Sequence, residues 1–164
     1  MLAVLQAGLA QGCTHFLYGG KEGVAEALRA ELVRRIPGLR VCGTWCPPFR
    51  PATPDEEAAE VRTINTAAPD ILWVGLSTPK QERRMAAFRG KVNAKVMIGV
   101  GAAFDFHAGR VRQAPRWMQR AGLEWFFRLC VEPRRLARRY AWIVPAFLWH
   151  VLLQSTGLRK YELE

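Results

Sequence analysis

Apolar and polar positions along this chain fall into two alternating rhythms. Compact apolar runs occur at His15-Phe-Leu-Tyr18, Leu39–Thr44, Ile71-Leu-Trp-Val-Gly75 and Lys95–Val100. Their length and their β-branched or aromatic content predict strands. Between them, apolar residues recur at helical spacing. Lys21–Arg35 shows this through Val24, Leu28, Leu32 and Ile36, and the pattern stops at Pro37-Gly38. Pro54-Asp55 opens a second such segment to Ala67, with acidic residues in the first turn, where the helix dipole favours them. Pro79–Arg89 is a third, and Met1–Gln11 reads as an opening helix without a cap. Alternation at lengths suited to right-handed crossovers predicts α/β architecture, with a Rossmann-like parallel sheet of about four strands flanked by helices.

After Asp105 the rhythm changes. Residues 106–115 read as a loop and 116–131 as short helices rich in Arg and Trp. Glu132-Pro133 then starts a last helix, with proline where a missing N–H costs nothing. That helix begins with Arg134, Arg135, Arg138 and Arg139 and runs into the apolar stretch Ala141–Leu153. Thirteen residues are too few to span a bilayer, which takes about 20. Two readings stay open: a basic, Trp-rich helix at a membrane interface, or a helix packed on the domain and kinked at Pro145. The division expected is an α/β domain over 1–115 and a helical, basic appendage over 116–164.

Charge sharpens this picture. The 164 residues carry 24 Lys+Arg against 14 Asp+Glu, a formal net charge of +10. Nine arginines fall within 110–140, so the positive field is concentrated, which favours anionic partners. Nucleic acid is not expected, because no aromatic strand face or known binding motif accompanies the charge. Cys13, Cys42, Cys46 and Cys130 form no C-x-x-C pair, and buried thiols are the expectation for Cys42 and Cys46. His15, His107 and His150 are too scattered for a metal cage, so neither metal nor cofactor is expected. Leu2–Ala10 lacks a basic flank and a cleavage site, which points to a cytoplasmic chain.

The candidate chemistry sits where strands end. Gly19-Gly20-Lys21-Glu22-Gly23 links a strand to a helix, so free N–H groups there suit an anion, although the P-loop spacing is absent. Glycine at a tight βα turn explains the same residues. Thr78-Pro79-Lys80-Gln81-Glu82 reads as a hydroxyl N-cap with Pro at N1, and also places Lys80 and Gln81 at the ligand edge of the sheet. Gly99-Val-Gly-Ala-Ala-Phe-Asp105 only superficially matches a dinucleotide fingerprint, since Phe104 replaces the third glycine. Asp105 suits either a ribose hydroxyl or a helix cap. Arg128, Arg135 and Arg138, spaced at seven and three, would share one face of a continuous helix and could hold a diphosphate.

These segments together resemble the WecG/TagA/CpsF family of bacterial glycosyltransferases. The matching residues are Phe16–Gly23, Pro37-Gly-Leu39, Gly43 with Pro47-Pro48-Phe49, Ile64-Asn65, Gly75 with Pro79–Glu82, and the long block from Gly99 to Tyr140. The resemblance implies transfer of an N-acetylmannosamine-type sugar from a UDP donor to an undecaprenyl-diphosphate-linked acceptor, in cell-surface polysaccharide or teichoic acid synthesis. It implies that Asp105 and the Gly99–Gly101 loop hold the nucleotide and that Gln81 lines the sugar pocket. Arg128, Arg135 and Arg138 would complete the site over the diphosphate. Gly19, Gly20, Lys21, Pro79 and Lys80 join the candidate substrate-contacting set. The appendage would dock on the inner face of the cytoplasmic membrane, and its apolar surface also suits self-association. The resemblance further implies a segment ahead of Met1 that carries the general base. The alternative reading is therefore an inactive remnant that keeps UDP-sugar or membrane affinity.

Overall fold

The structure is a computed structural model, and it describes residues 1–109 and 114–157, with the side chains of Arg135 and Arg139 outside the described set. The residues group into two compact units, Met1–Arg112 and Gln113–Glu164.

The first unit is built on four parallel strands: β1 (Thr14–Gly19), β2 (Arg40–Trp45), β3 (Ile71–Gly75) and β4 (Val96–Gly99). Five helices accompany them: α1 (Leu2–Gly8), α2 (Val24–Arg35), α3 (Pro54–Ala67), α4 (Lys80–Phe88) and α5 (Ala103–His107). A 3₁₀ turn, Leu9–Gln11, ends the opening helical segment. The sheet order is β2-β1-β3-β4. The expected Rossmann-like α/β plan is therefore the observed one.

Period-2 alternation splits the central strands between two cores, as it must when both faces of a parallel sheet are covered. Leu17 and Trp73 pack on one face with Leu5, Val24, Leu28 and Phe104, which brings α1, α2 and α5 to that side. Phe16, Tyr18, Leu72 and Val74 pack on the other with Ile64 and Phe88, from α3 and α4. A capping box fixes the start of α3: Thr53 Oγ1 accepts the Glu56 N–H, and Glu56 Oε2 accepts the Thr53 N–H at 2.8 Å. Arg50 clamps the same carboxylate, with Nη2 at 2.6 Å from Oε1, and holds Glu56 down to about pH 2.

Several expectations change. Cys42 lies exposed on β2, an edge strand, rather than buried. Phe106 and His107 belong to α5 instead of a loop, while residues 110–113 of that stretch lie outside the described residues. Thr78 does not cap α4. The helix starts at Lys80 with Pro79 as its N-cap, the Thr78–Pro79 peptide is cis, and the Thr78 hydroxyl donates to Glu82 Oε1 at 3.2 Å.

The second unit holds α6 (Arg116–Arg120), α7 (Glu124–Val131) and α8 (Pro133–Ser155). Trp125 of α7 meets Phe126 and Tyr140 edge-on, at centroid distances of 5.8 and 6.4 Å. Pro133 occupies the first turn of α8 as expected, and Pro145 lies inside the helix. Among the described residues, no helix is long and apolar enough to cross a membrane.

Candidate functional site: the switch point of the sheet

Strand order decides where this sheet can open. The chain leaves β1 through α2 toward β2 on one side, and leaves β3 through α4 toward β4 on the other. Neighbouring strands β1 and β3 therefore send their following loops apart, the arrangement that in open α/β sheets leaves a crevice beyond the carboxyl ends.

Glycines make the floor of that crevice. Gly19 pairs with Gly75 in parallel register, and the Gly20 N–H donates to the Gly75 carbonyl at 2.9 Å. A Cβ on Gly19, whose φ is +125°, would lie 2.5 Å from the Gly75 oxygen. A Cβ on Gly75 would in turn lie 2.5 Å from the ring of Phe104, which is buried at the first turn of α5. Two strands and a helix thus approach closely because side chains are missing at the contact. The sequence marks Gly19 and Gly20 as candidate contacts and Gly75 as closing an apolar strand run, but the contact of Gly75 with Gly19 and Phe104 comes from the strand pairing.

Gln81 joins the loops after β3 and β4. Its Oε1 accepts the Gly101 N–H at 2.8 Å, and its Nε2 fills the space a Gly99 Cβ would take. Gly99, Gly101 and Gln81 are thus one assembly. Asp105 lies in the first turn of α5, directly beyond that loop, and is not the helix's N-cap residue. Burial pushes the neighbouring His107 imidazole below its usual pKa, with the Met1 ammonium and Arg35 adding to the effect. Lys21 is exposed in the turn before α2, whose N-cap is Gly23.

Lys80 and Pro79 are exposed at the start of α4. The Lys80 ammonium lies 4.6 Å from the ring centroid of Phe49, a residue that sequence spacing alone did not single out. Behind this wall, Tyr18 donates to Glu60 Oε2 at 3.0 Å, and Arg84 lies 3.5 Å from the same fully buried carboxylate and 3.0 Å from Glu57. Burial and the Glu60 charge push the Tyr18 hydroxyl far up, so it stays a donor. A groove of about 500 Å³ lies between α3 and α4, lined in part by Arg62, Arg84, Phe88 and Lys91.

The arginines expected on one continuous helix are not on one. Arg128 sits in α7, while Arg135 and Arg138 sit in α8, and Glu132 between them has φ −128° and ψ 57°. The residue before a proline avoids the helical region, so Pro133 breaks the helix there. Arg128 also pairs with Glu124 at 3.1 Å, and Arg138 is exposed. Among the described residues, no three His, Cys, Asp or Glu side chains are placed to hold a metal ion.

An open parallel sheet with glycines at its switch point is the Rossmann-like α/β arrangement, in which ligands bind beyond the strand ends. Comparison narrows the class. Residues 1–161 match the model of the Glycosyl transferase WecG/TagA/CpsF family, and the chain belongs to that family. It is 30% identical over 146 residues to the N-acetylglucosaminyldiphosphoundecaprenol N-acetyl-beta-D-mannosaminyltransferase of Bacillus subtilis (strain 168). That alignment takes in 89% of this chain and 54% of the relative, so the chain spans about half the length of the curated protein it matches.

Proposed function

We propose that this chain forms the donor-binding part of a glycosyltransferase that moves an N-acetylmannosamine-type sugar from UDP to an undecaprenyl-diphosphate-linked acceptor. The observation that carries the reading is the Gly19–Gly75 crevice with Gln81 latched to Gly101 at its edge, in a chain of this family. The Bacillus relative is named as an N-acetylmannosaminyltransferase acting on an undecaprenyl-diphosphate-linked acceptor, which supports the transferred group and the acceptor class.

In such a transfer, the bond between the sugar's anomeric carbon and the UDP oxygen breaks, and UDP leaves with the electron pair. The acceptor hydroxyl oxygen bonds to that carbon and gives its proton to a base. The roles fitting this chain are electrostatic. Backbone N–H groups in the Gly19–Gly23 turn, Lys21 and Lys80 lie where a diphosphate would gain from positive charge. Asp105 suits ribose hydroxyls, and Gln81, latched to the same loop with no hydrogen-bond partner for Nε2 among the described residues, suits the junction of ribose and diphosphate. Arg128, Arg135 and Arg138 stay candidate diphosphate contacts on the family resemblance alone.

A lipid-linked acceptor requires access to a membrane surface. α8 supports this with Arg134 and Arg138 in its first turns and exposed Trp142, Phe147 and Trp149 beyond them. Peripheral docking on the inner face of the cytoplasmic membrane follows as part of the proposal. The test has two stages: UDP binding by calorimetry, then sugar transfer from a UDP donor to a lipid-diphosphate acceptor analogue on anionic vesicles. Binding with turnover supports the whole reading. Binding without turnover refutes transfer by this chain alone.

A further inference from the structure

Phe49 is in an unusual position for an apolar residue. Its ring is 88% exposed and joins neither core cluster, yet the loop that carries it is held at both ends. On one side, Cys46 Sγ donates to the Gly20 carbonyl at 3.4 Å. On the other, Arg50 grips Glu56 with two nitrogens. Pro47 and Pro48 stiffen the span between.

The contact with Lys80 then has a topological meaning. Phe49 follows β2, and Lys80 follows β3, but β1 lies between those two strands. The 4.6 Å approach of the ammonium to the ring therefore bridges the carboxyl end of β1, beside Gly19 and Gly20. Lys80 has no carboxylate partner among the described residues. An exposed cation–π contact is weaker than a charge-assisted bond to phosphate, so an arriving diphosphate would draw the ammonium away and bare the ring.

We propose that Phe49 is a donor-specificity residue, whose ring packs against the C–H face of the transferred hexose once Lys80 has moved to the diphosphate. The proposal rests on the UDP-sugar reading above. A nucleotide sugar is linear: base, ribose, diphosphate, hexose. Gly101 and Asp105 follow β4 at one edge of the sheet, Lys80 follows β3, and Phe49 lies toward the opposite edge. A nucleoside near Asp105 and a diphosphate at Lys80 leave the hexose for Phe49.

Calorimetry on the full chain tests this with UDP and with UDP-N-acetylmannosamine as separate probes. The expected result for Phe49→Ala is a loss of about tenfold in UDP-sugar affinity, the value of burying part of one ring face, with UDP affinity unchanged. Lys80→Met should weaken both probes alike. Thermal melts should be unchanged for Phe49→Ala, because the ring supports no core. Equal affinity of Phe49→Ala and wild type for the UDP-sugar would overturn the assignment, as would equal losses for UDP and UDP-sugar, which would put the base on the ring. If wild type bound no UDP, the donor reading itself would fall, and this assignment with it.

Discussion

The side-chain oxygen of Gln81 accepts the backbone N–H of Gly101 at 2.8 Å, so one amide ties the start of α4 to the loop that leaves β4. The bond shapes the crevice edge directly, because neither loop has another side-chain tie to the other among the described residues. Gln81→Leu would leave a partly buried N–H unpaired, which costs about 1–3 kcal/mol. Gln81→Glu keeps an acceptor but sets a negative charge beside the diphosphate position. We expect Gln81→Leu to lower the thermal midpoint, and Gln81→Glu to keep the midpoint while weakening UDP binding. Melting curves paired with calorimetry separate the two effects.

Gly19 tolerates no side chain. Its φ of +125° already excludes most residues, and a Cβ would meet the Gly75 oxygen at 2.5 Å. The obstruction is backbone on both sides, so it cannot be relieved by a rotamer change. Gly19→Ala should cost about 2–4 kcal/mol. Gly90→Ala serves as a control, since nothing lies within 4 Å of its Cβ although its φ is also positive, at +75°. Urea denaturation should show a far larger loss at 19 than at 90.

Arg84 is the counter-charge of the buried Glu60. Arg84→Met would strand that carboxylate, whose Oε1 has no hydrogen-bond partner among the described residues, at a cost of about 3–5 kcal/mol. Glu60→Gln removes the charge and keeps an acceptor for the Tyr18 hydroxyl. The double variant should therefore be more stable than Arg84→Met alone. A double-mutant cycle from chemical denaturation reads this coupling, and strict additivity would refute it.

His15 gives stability a pH dependence. The fully buried imidazole accepts the Trp73 indole N–H at Nδ1, at 3.3 Å, which assigns the proton to Nε2. Burial pushes its pKa below the usual value, against a smaller upward pull from Asp70. The folded state thus binds the proton less well than the unfolded chain. This contribution is complete above about pH 6.5 and is lost as pH falls from there toward the lowered folded value. Melting midpoints between pH 8 and 5 should fall in wild type and fall less in His15→Gln, measured against its own value at pH 8.

The sheet was legible because β1, β3 and β4 are compact apolar runs and α2 buries a periodic stripe. Val24, Leu28 and Leu32, for example, are all fully buried. α5 was not legible, since five residues hold too little periodicity to separate a helix from a loop. The Thr78 cap failed because its hydroxyl is taken up by the Glu82 carboxylate. Spacing placed Arg128 with Arg135 and Arg138 by counting through Glu132-Pro133, where backbone sterics stop a helix. The glycines and Gln81 could be found from sequence as residues that follow strands. The Phe49–Lys80 bridge could not, because it joins positions brought together only by the strand order β2-β1-β3.

The central claim is that the switch-point crevice receives the nucleotide of a UDP-sugar. Backbone amide shifts during a UDP titration test it most directly. The account predicts saturable shifts concentrated at Gly20, Gly101 and the first turn of α5. No shifts at all would contradict it, and so would shifts confined to the α3–α4 groove around Arg62 and Lys91.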